Sequence, residues 1–322
     1  MIKIKDSITS EIAESICTFS PIENGIKLNQ WLSTNKLKLE ELLLKKGGIL
    51  LRGYDKSSIA EFGKVTSIFS SELLKYRERS TPRTEVQDNI YTSTEYPKDQ
   101  CIPMHNESSY SKVWPMKIWF SCQLNAEQGG ETPIADSREM FRTLDSTLKK
   151  EFIDKKVMYV RNYDGVLDLS WQNVFQTEDP KQVERYCTNN EIEYEWISKD
   201  HLRTRTIREA VAVHPVTKET VWFNQANLFH VSSLPIEARE WLIEERGYEN
   251  LPRNTYFGDG SIIPDSIIDE IQDRYKELSK AFPWEEGDVL MLDNMLMAHG
   301  RNTYKGNRKI VVAMAQPHGN SR

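Results

Sequence analysis

The sequence predicts a mostly β fold, an antiparallel barrel or jelly roll with helices added outside and lid-like insertions. Three observations point there. Short strand-like runs recur between turn signals from residue 116 onward, "MKIWFSCQL" and "RKIVVAMAQP" among them. Amphipathic stretches such as "PIEAREWLIEERG" and "PDSIIDEIQDRYKELSKAF" read as helices laid on the outside of that framework. No G-x-G-x-x-G, P-loop lysine motif or G-x-S-x-G is present, so the usual signatures of doubly wound nucleotide and hydrolase folds are missing.

Taken in order, "LNQWLSTNKLKLEELLLKK" (28–46) has apolar residues at helical spacing and stops at Gly47-Gly48. "GILLRGYD" (48–55) follows as a short buried strand, and "SSIAEFGKVTSIFSS" (57–71) as a helix with serine caps. Residues 76–104 are polar and proline-bearing, with one strand-like piece, "NIYTST". "GGETPIADS" is a turn and a strand, "SREMFRTLDSTLKKEFIDKK" one helix, and "VMYVRNY" a strand. Residues of about 165–205 look polar and irregular, an insertion or lid. "EAVAVHPVTKETVWFNQAN" reads as a hairpin with Val213 and Val221 flanking its turn. "GDVLMLDNMLMAHG" and "RKIVVAMAQP" close the chain as strands. The expectation is a single domain over 1–322, its N-terminal part to about residue 75 helical.

Composition bounds the function classes. A net charge of −6 does not suit general nucleic-acid binding, which needs a basic face. No apolar run approaches the ~20 residues of a membrane span. Four cysteines (Cys17, Cys101, Cys122, Cys187) form no C-x-x-C pair, and "MIKIKDSITSEIAESICTF" lacks the apolar core of a signal peptide. A cytoplasmic protein is expected, with neither nucleic-acid nor membrane partners, and with its oligomeric state open.

The chemistry concentrates in a few residues. In "MHNESSY", His105 and Glu107 stand two positions apart, which on a strand puts imidazole and carboxylate on one face. His299, in "MLMAHG", could complete the face of a metal site. Two histidines and a carboxylate leave three open positions in an octahedron, the arrangement of non-haem Fe(II) oxygenases. The plain alternative is a polar turn and a strand-end histidine. His201, His214, His230 and His318 lie beside no comparable chemistry. Arg308 enters an apolar strand and needs a counter-ion if buried, which a dicarboxylate would supply; otherwise it snorkels to water. Thr132, after Gly129-Gly130, could reach the same carboxylate or belong to a simple hairpin turn.

H-x-E, "GGETPIAD" and "GDVLMLDNMLMAHGRNTYKGNRKIVVAM" occur in the order found in the taurine dioxygenase-like (TauD/TfdA) superfamily of Fe(II)/2-oxoglutarate-dependent oxygenases, which the sequence resembles over roughly residues 45–316. "RSTPRTEVQDNIYTSTEYP", "HNESSYSKVWP" and "WFNQANLFHVSSL" resemble the branch typified by the syringomycin-pathway aspartyl hydroxylase. The resemblance implies a double-stranded β-helix, with His105, Glu107 and His299 as iron ligands. It implies Thr132 and Arg308 as contacts of the 2-oxoglutarate C5 carboxylate, with Lys309 the competing anchor because the loop after His299 is short. Dioxygen is the third component. The implied activity is hydroxylation of an unactivated C–H bond in natural-product biosynthesis. Related halogenases leave the carboxylate position to chloride, so Glu107 points to oxygen transfer.

By analogy with that branch the substrate is an amino acid or aminoacyl group, free or tethered to a carrier protein. Arg83, Asn224 and Arg301 are candidate contacts. Their plain alternatives are an ion pair with Glu85 or another acid, service in a turn, and binding of backbone carbonyls. The same site supports desaturation, epoxidation or cyclisation, and a non-catalytic metal- or acid-binding barrel or a zinc hydrolase stands as a reading of another class. Loss of Glu107 is expected to abolish activity while sparing the fold.

Overall fold

Val113–Leu124 is the longest strand among the described residues and the axis of the main sheet. The structure, a computed structural model, describes residues 7–13, 16–23, 25–55, 58–75, 83–94 and 96–319. Eight strands make that sheet, in the order Ser7–Ala13, Ile16–Pro21, Gly48–Leu51, Val289–Asp293, Val113–Leu124, Lys309–Gly319, Ile90–Thr92 and Glu85–Gln87. Pairing is antiparallel except between Ile16–Pro21 and Gly48–Leu51.

Alternation divides each central strand between two cores. Trp119, Val289, Met291, Val311 and Ala313 face helices Leu28–Lys46 and Ile59–Phe69, against Trp31, Leu32, Leu39, Phe62 and Val65. Ile118, Phe120, Leu290, Leu292, Ile310 and Val312 face the opposite way. Both faces are covered, so these strands read as continuous apolar runs. The first helix ends at Gly47 with φ 94°. A Cβ there would stand 2.7 Å from the Met297 side chain, so only glycine lets the helix end this close to the neighbouring strand.

That neighbour belongs to a second sheet of three strands, with Met297–Arg301 between Ile102–His105 and Ile134–Asp136. It packs on the inner face of the large sheet; Phe120 meets the His299 ring at 5.1 Å. The hairpin of Val211–Val213 and Thr220–Trp222 forms as expected.

Several expectations change. Helices and strands occupy equal shares, 33% and 32%, so the fold is mixed and not mostly β. The N-terminal part is not purely helical, because Ser7–Ala13 and Ile16–Pro21 extend the main sheet. The expected long helix after residue 136 breaks into Ser137–Thr143 and Ser146–Lys155, because the Asp145 carboxylate accepts from the Thr147 and Leu148 amides and starts a new helix. The region of about 165–205 is regular. Helices Trp171–Phe175 and Pro180–Asn189 pack with strands Glu193–Ser198 and His201–Arg208 around Tyr163, Trp171, Val183 and Leu202. These strands join Val157–Tyr163 and Arg253–Phe257 in a four-stranded sheet. The second helix has its own start signal, an Asp179 cap followed by Pro180. Of the other expected irregular segment, residues 76–82 lie outside the described residues, while Glu85–Gln87 and Ile90–Thr92 are strands of the main sheet. Among the described residues no helix is long and apolar enough to cross a membrane.

Candidate metal centre and its two cavities

His105 and His299 are direct cross-strand partners in the small sheet, with ring centroids 4.5 Å apart. Glu107 does not share their strand. Ile102–His105 ends at the histidine, and Glu107 opens a turn in which Ser108 takes φ 57°. The shared face therefore comes from a turn, not from strand alternation. A set of buried amides holds that turn. The Asn294 Oδ1 accepts from the Glu107 amide at 2.7 Å, and its Nδ2 donates to the carbonyls of Glu107 and Pro115. The Asn106 Nδ2 donates to Ser137 Oγ and the Asn294 carbonyl. The Gln225 Nε2 donates to the Asn106 carbonyl and the Asn227 Nδ2 to the Met104 carbonyl. None of these was singled out from the sequence, where a lone Asn or Gln carries no spacing signal. Asn294→Ala leaves three buried backbone groups without partners, so it is expected to cost about 3 kcal/mol of stability, read by denaturant unfolding.

The three side chains offer ligand atoms within 4.8 Å of one another, and all three residues are buried. His105 Nδ1 lies 2.8 Å from the Pro103 carbonyl, which draws the ring proton to that nitrogen and leaves Nε2 as the ligating atom. Burial holds His105 below its ordinary value of 6.5, against the opposing pull of Glu107. His299 is held well below that value by burial, then by His105 and Arg83. Neutral imidazoles are the ligating form, so two neutral donors and one carboxylate fit a divalent metal. The Glu107 carboxylate accepts from the Arg83 guanidinium at 2.8 Å, and both groups are buried.

The sign of the pH effect follows. With folded values depressed, the unfolded chain takes up more protons than the folded one as pH falls through about 6.5. The metal-free protein is therefore expected to hold this contribution above about 6.5 and to lose it progressively as pH falls below that, in a thermal melting series. His299→Leu should flatten that loss, and an equally steep loss would exclude His299 as its source.

Two cavities meet at these residues. The outer one, about 470 Å³, reaches His105, Glu107 and Arg83 and is walled by Gln225, Arg253 and Gln272. The inner one, about 30 Å³, touches His105 and His299 and is lined by Thr132, Arg301 and Arg308. The Arg308 Nε donates to the Gly130 carbonyl at 2.9 Å and its Nη1 to Ser93 Oγ. It makes no ion pair with a carboxylate among the described residues. Burial and then the neighbouring Arg301 lower it to about 10, so this cation is under-compensated where it sits. Thr132 Oγ1 accepts from Trp284 Nε1 at 3.2 Å, leaving its own proton to donate. Lys309 is exposed and lines neither cavity.

The three candidate substrate contacts separate. Arg83 lines both cavities, but its acid partner is Glu107 and not Glu85. Arg301 donates to the carbonyls of Tyr96, Pro97 and Gln100, tying a segment that walls the outer cavity to the small sheet. Asn224 lines neither cavity: its Nδ2 donates to the Ala210 carbonyl and its Oδ1 accepts from the Ala226 amide, so it shapes a turn. Its neighbour Gln225 is the one that reaches the outer cavity.

Comparison with known proteins bears on what such a site does. The chain is 42% identical over 279 residues to the dapdiamide synthesis protein DdaC of Enterobacter agglomerans, covering 87% of this chain and 85% of that one. It is 28% identical over 299 residues to a clavaminate synthase-like protein of Arabidopsis thaliana, covering 89% and 87%. Its fold resembles that of PvcB from Pseudomonas aeruginosa, described as an Fe, alpha-ketoglutarate dependent oxygenase from an isonitrile synthetic pathway. The TM-score there is 0.58 at 13% identity, over 98% of this chain and 93% of that one. Residues 13–314 match the Taurine catabolism dioxygenase TauD, TfdA family. The chain belongs to that family, and it is a 2-oxoglutarate-dependent non-haem iron dioxygenase.

Proposed function

We propose that the protein hydroxylates an unactivated C–H bond of an amino acid or of an aminoacyl group on a carrier protein, within natural-product biosynthesis, on a double-stranded β-helix core. His105, Glu107 and His299 hold Fe(II), and Thr132 and Arg308 hold the distal carboxylate of 2-oxoglutarate. The observation that carries this reading is the position of the His105–Glu107–His299 face between two cavities, with the under-compensated Arg308 on the inner one. The likeness to a dapdiamide synthesis protein supports the natural-product setting.

When bound, the iron supplies dioxygen activation coupled to decarboxylation of 2-oxoglutarate to succinate and carbon dioxide. The chain's own contribution is placement and exclusion of water. Arg308 and Thr132 grip one end of the co-substrate, which aims its other end at the metal face. Arg83 holds the Glu107 carboxylate in place through a 2.8 Å ion pair, so the carboxylate is a ligand and no site opens for chloride. The outer cavity, larger than a single amino acid needs, positions the bond to be oxidised.

The test is succinate release across free amino acids and carrier-bound aminoacyl thioesters, with product mass. Gain of one oxygen supports hydroxylation, and loss of two hydrogens would move the reading to desaturation or cyclisation. Absence of succinate in air, with no charge-transfer band from anaerobic Fe(II) and 2-oxoglutarate, would sink the assignment of the site.

A further inference from the structure

The turn between strands Val289–Asp293 and Met297–Arg301 aims two of the three proposed metal ligands. Asn294, its first residue, holds the Glu107 amide and carbonyl, and Leu296, its last, leads into the strand that carries His299. The Asp293 carboxylate fixes this turn. Its Oδ1 accepts from the amides of Met295 at 3.0 Å and Leu296 at 3.1 Å. Its Oδ2 finds one hydrogen-bond partner among the described residues, His214 Nε2 at 3.1 Å. Both residues are buried, so bulk water does not stand in for either.

The imidazole is oriented by its own turn. Nδ1 accepts from the amides of Val216 at 3.2 Å and Thr217 at 3.0 Å. A ring nitrogen that accepts N–H bonds carries no proton, so the proton sits on Nε2 and is donated to Asp293. The histidine thus ties the tip of the hairpin Val211–Val213 and Thr220–Trp222 to the turn beside the metal face. The chain leaving that hairpin meets the site again, where Gln225 Nε2 donates to the Asn106 carbonyl at 2.7 Å. Sequence alone links His214 to none of the ligands; the fold does so through Asp293 and Asn294. We propose that His214 is a positioning residue for the metal centre, its Nε2–H orienting the Asp293 carboxylate that sets the turn aiming Glu107 and His299. The inference rests on the His105–Glu107–His299 face holding a metal, as proposed above. A histidine that served only its own hairpin turn would need Nδ1 alone. The two roles therefore belong to different ring atoms and separate by substitution. Asparagine places an acceptor oxygen near the Nδ1 position and has no atom that reaches Asp293, whereas glutamine places an N–H donor near the Nε2 position.

The experiment is titration of the metal-free protein with Co(II) alone, followed by the visible ligand-field absorption of the ion. His214→Asn is expected to bind Co(II) about tenfold more weakly than the native protein. His214→Gln should stay within about threefold. Asp293→Asn keeps the oxygen that caps the turn but points an N–H at the His214 donor, so it should also lose about tenfold. The double variant His214→Asn/Asp293→Asn should lose no more than either single one, because both remove the same bond. Where His214→Asn folds poorly, Asp293→Asn set against His214→Gln makes the same comparison. Native affinity in His214→Asn or Asp293→Asn, a glutamine variant no better than the asparagine one, or a loss of about 100-fold in the double variant would overturn the inference. His299→Leu should abolish binding. Binding that survives it, or none in the native protein, would overturn the metal-centre reading and this inference with it, whereas native binding with unaffected variants would overturn this inference alone.

Discussion

Glu107→Ala is expected to release succinate only at background, and also to unfold more readily than the native protein. The second effect comes from Arg83, whose guanidinium is buried against this carboxylate. Removing one member of a buried ion pair costs about 3 kcal/mol or more, because the remaining charge keeps its desolvation penalty without the attraction that offset it. The sequence-based expectation that the fold would be spared is therefore revised. Both proteins should be melted in chelator, so that loss of metal does not masquerade as loss of the ion pair. Glu107→Gln separates the two roles: it keeps a hydrogen-bond acceptor for Arg83 and recovers part of the stability, while remaining a poor ligand. Full activity of Glu107→Ala at saturating iron would move the ligand elsewhere.

Arg308→Ala is expected to raise the 2-oxoglutarate requirement about 100-fold with a smaller effect on turnover at saturation, since a charge-assisted bond to a carboxylate contributes about 1.5–3 kcal/mol. The same substitution should leave co-substrate-free protein as stable as before or more so. Burial already opposes the charge on this side chain, and no carboxylate among the described residues pairs with it. Lys309→Ala, exposed at the start of the strand that follows Arg308, should leave the requirement unchanged. A shift in Lys309→Ala with none in Arg308→Ala would exchange their roles.

The central strands of the main sheet, Gly48–Leu51, Val113–Leu124, Val289–Asp293 and Lys309–Gly319, were legible because their apolar runs are bounded by turns, whereas Ser7–Ala13, Ile16–Pro21 and Glu85–Gln87 carry no such run. The site was legible as a set of residue types in a particular order, while its geometry was not. Glu107 reaches the shared face through a turn, and what fixes that turn is Asn294, 187 positions on. Arg83 finds its acid 24 positions away, not at the neighbouring Glu85. Asn224 and Gln225 are adjacent and equally polar, yet one is spent on backbone groups and the other faces the cavity. Which of two neighbours points inward depends on how the segment after Trp222 is seated, and seating is a tertiary property. The 165–205 region misled for a related reason: its apolar residues are sparse, and they cohere only when two helices and a sheet bring them together.

The direct opposition of His105 and His299 has a consequence for folding. Their strands pair through only His299–His105 and Arg301–Ile102, with an irregularity between. A metal held by both rings would act as a reversible cross-link closing a loop of about 190 residues, which penalises the unfolded ensemble much as a long-range disulfide does. A one-residue slip of either strand would turn one imidazole to the opposite face and break the link. Chelation would thus proofread strand register, and amide hydrogens of Ile102, Met104 and His105 should exchange more slowly in metal-loaded protein than in the stripped form.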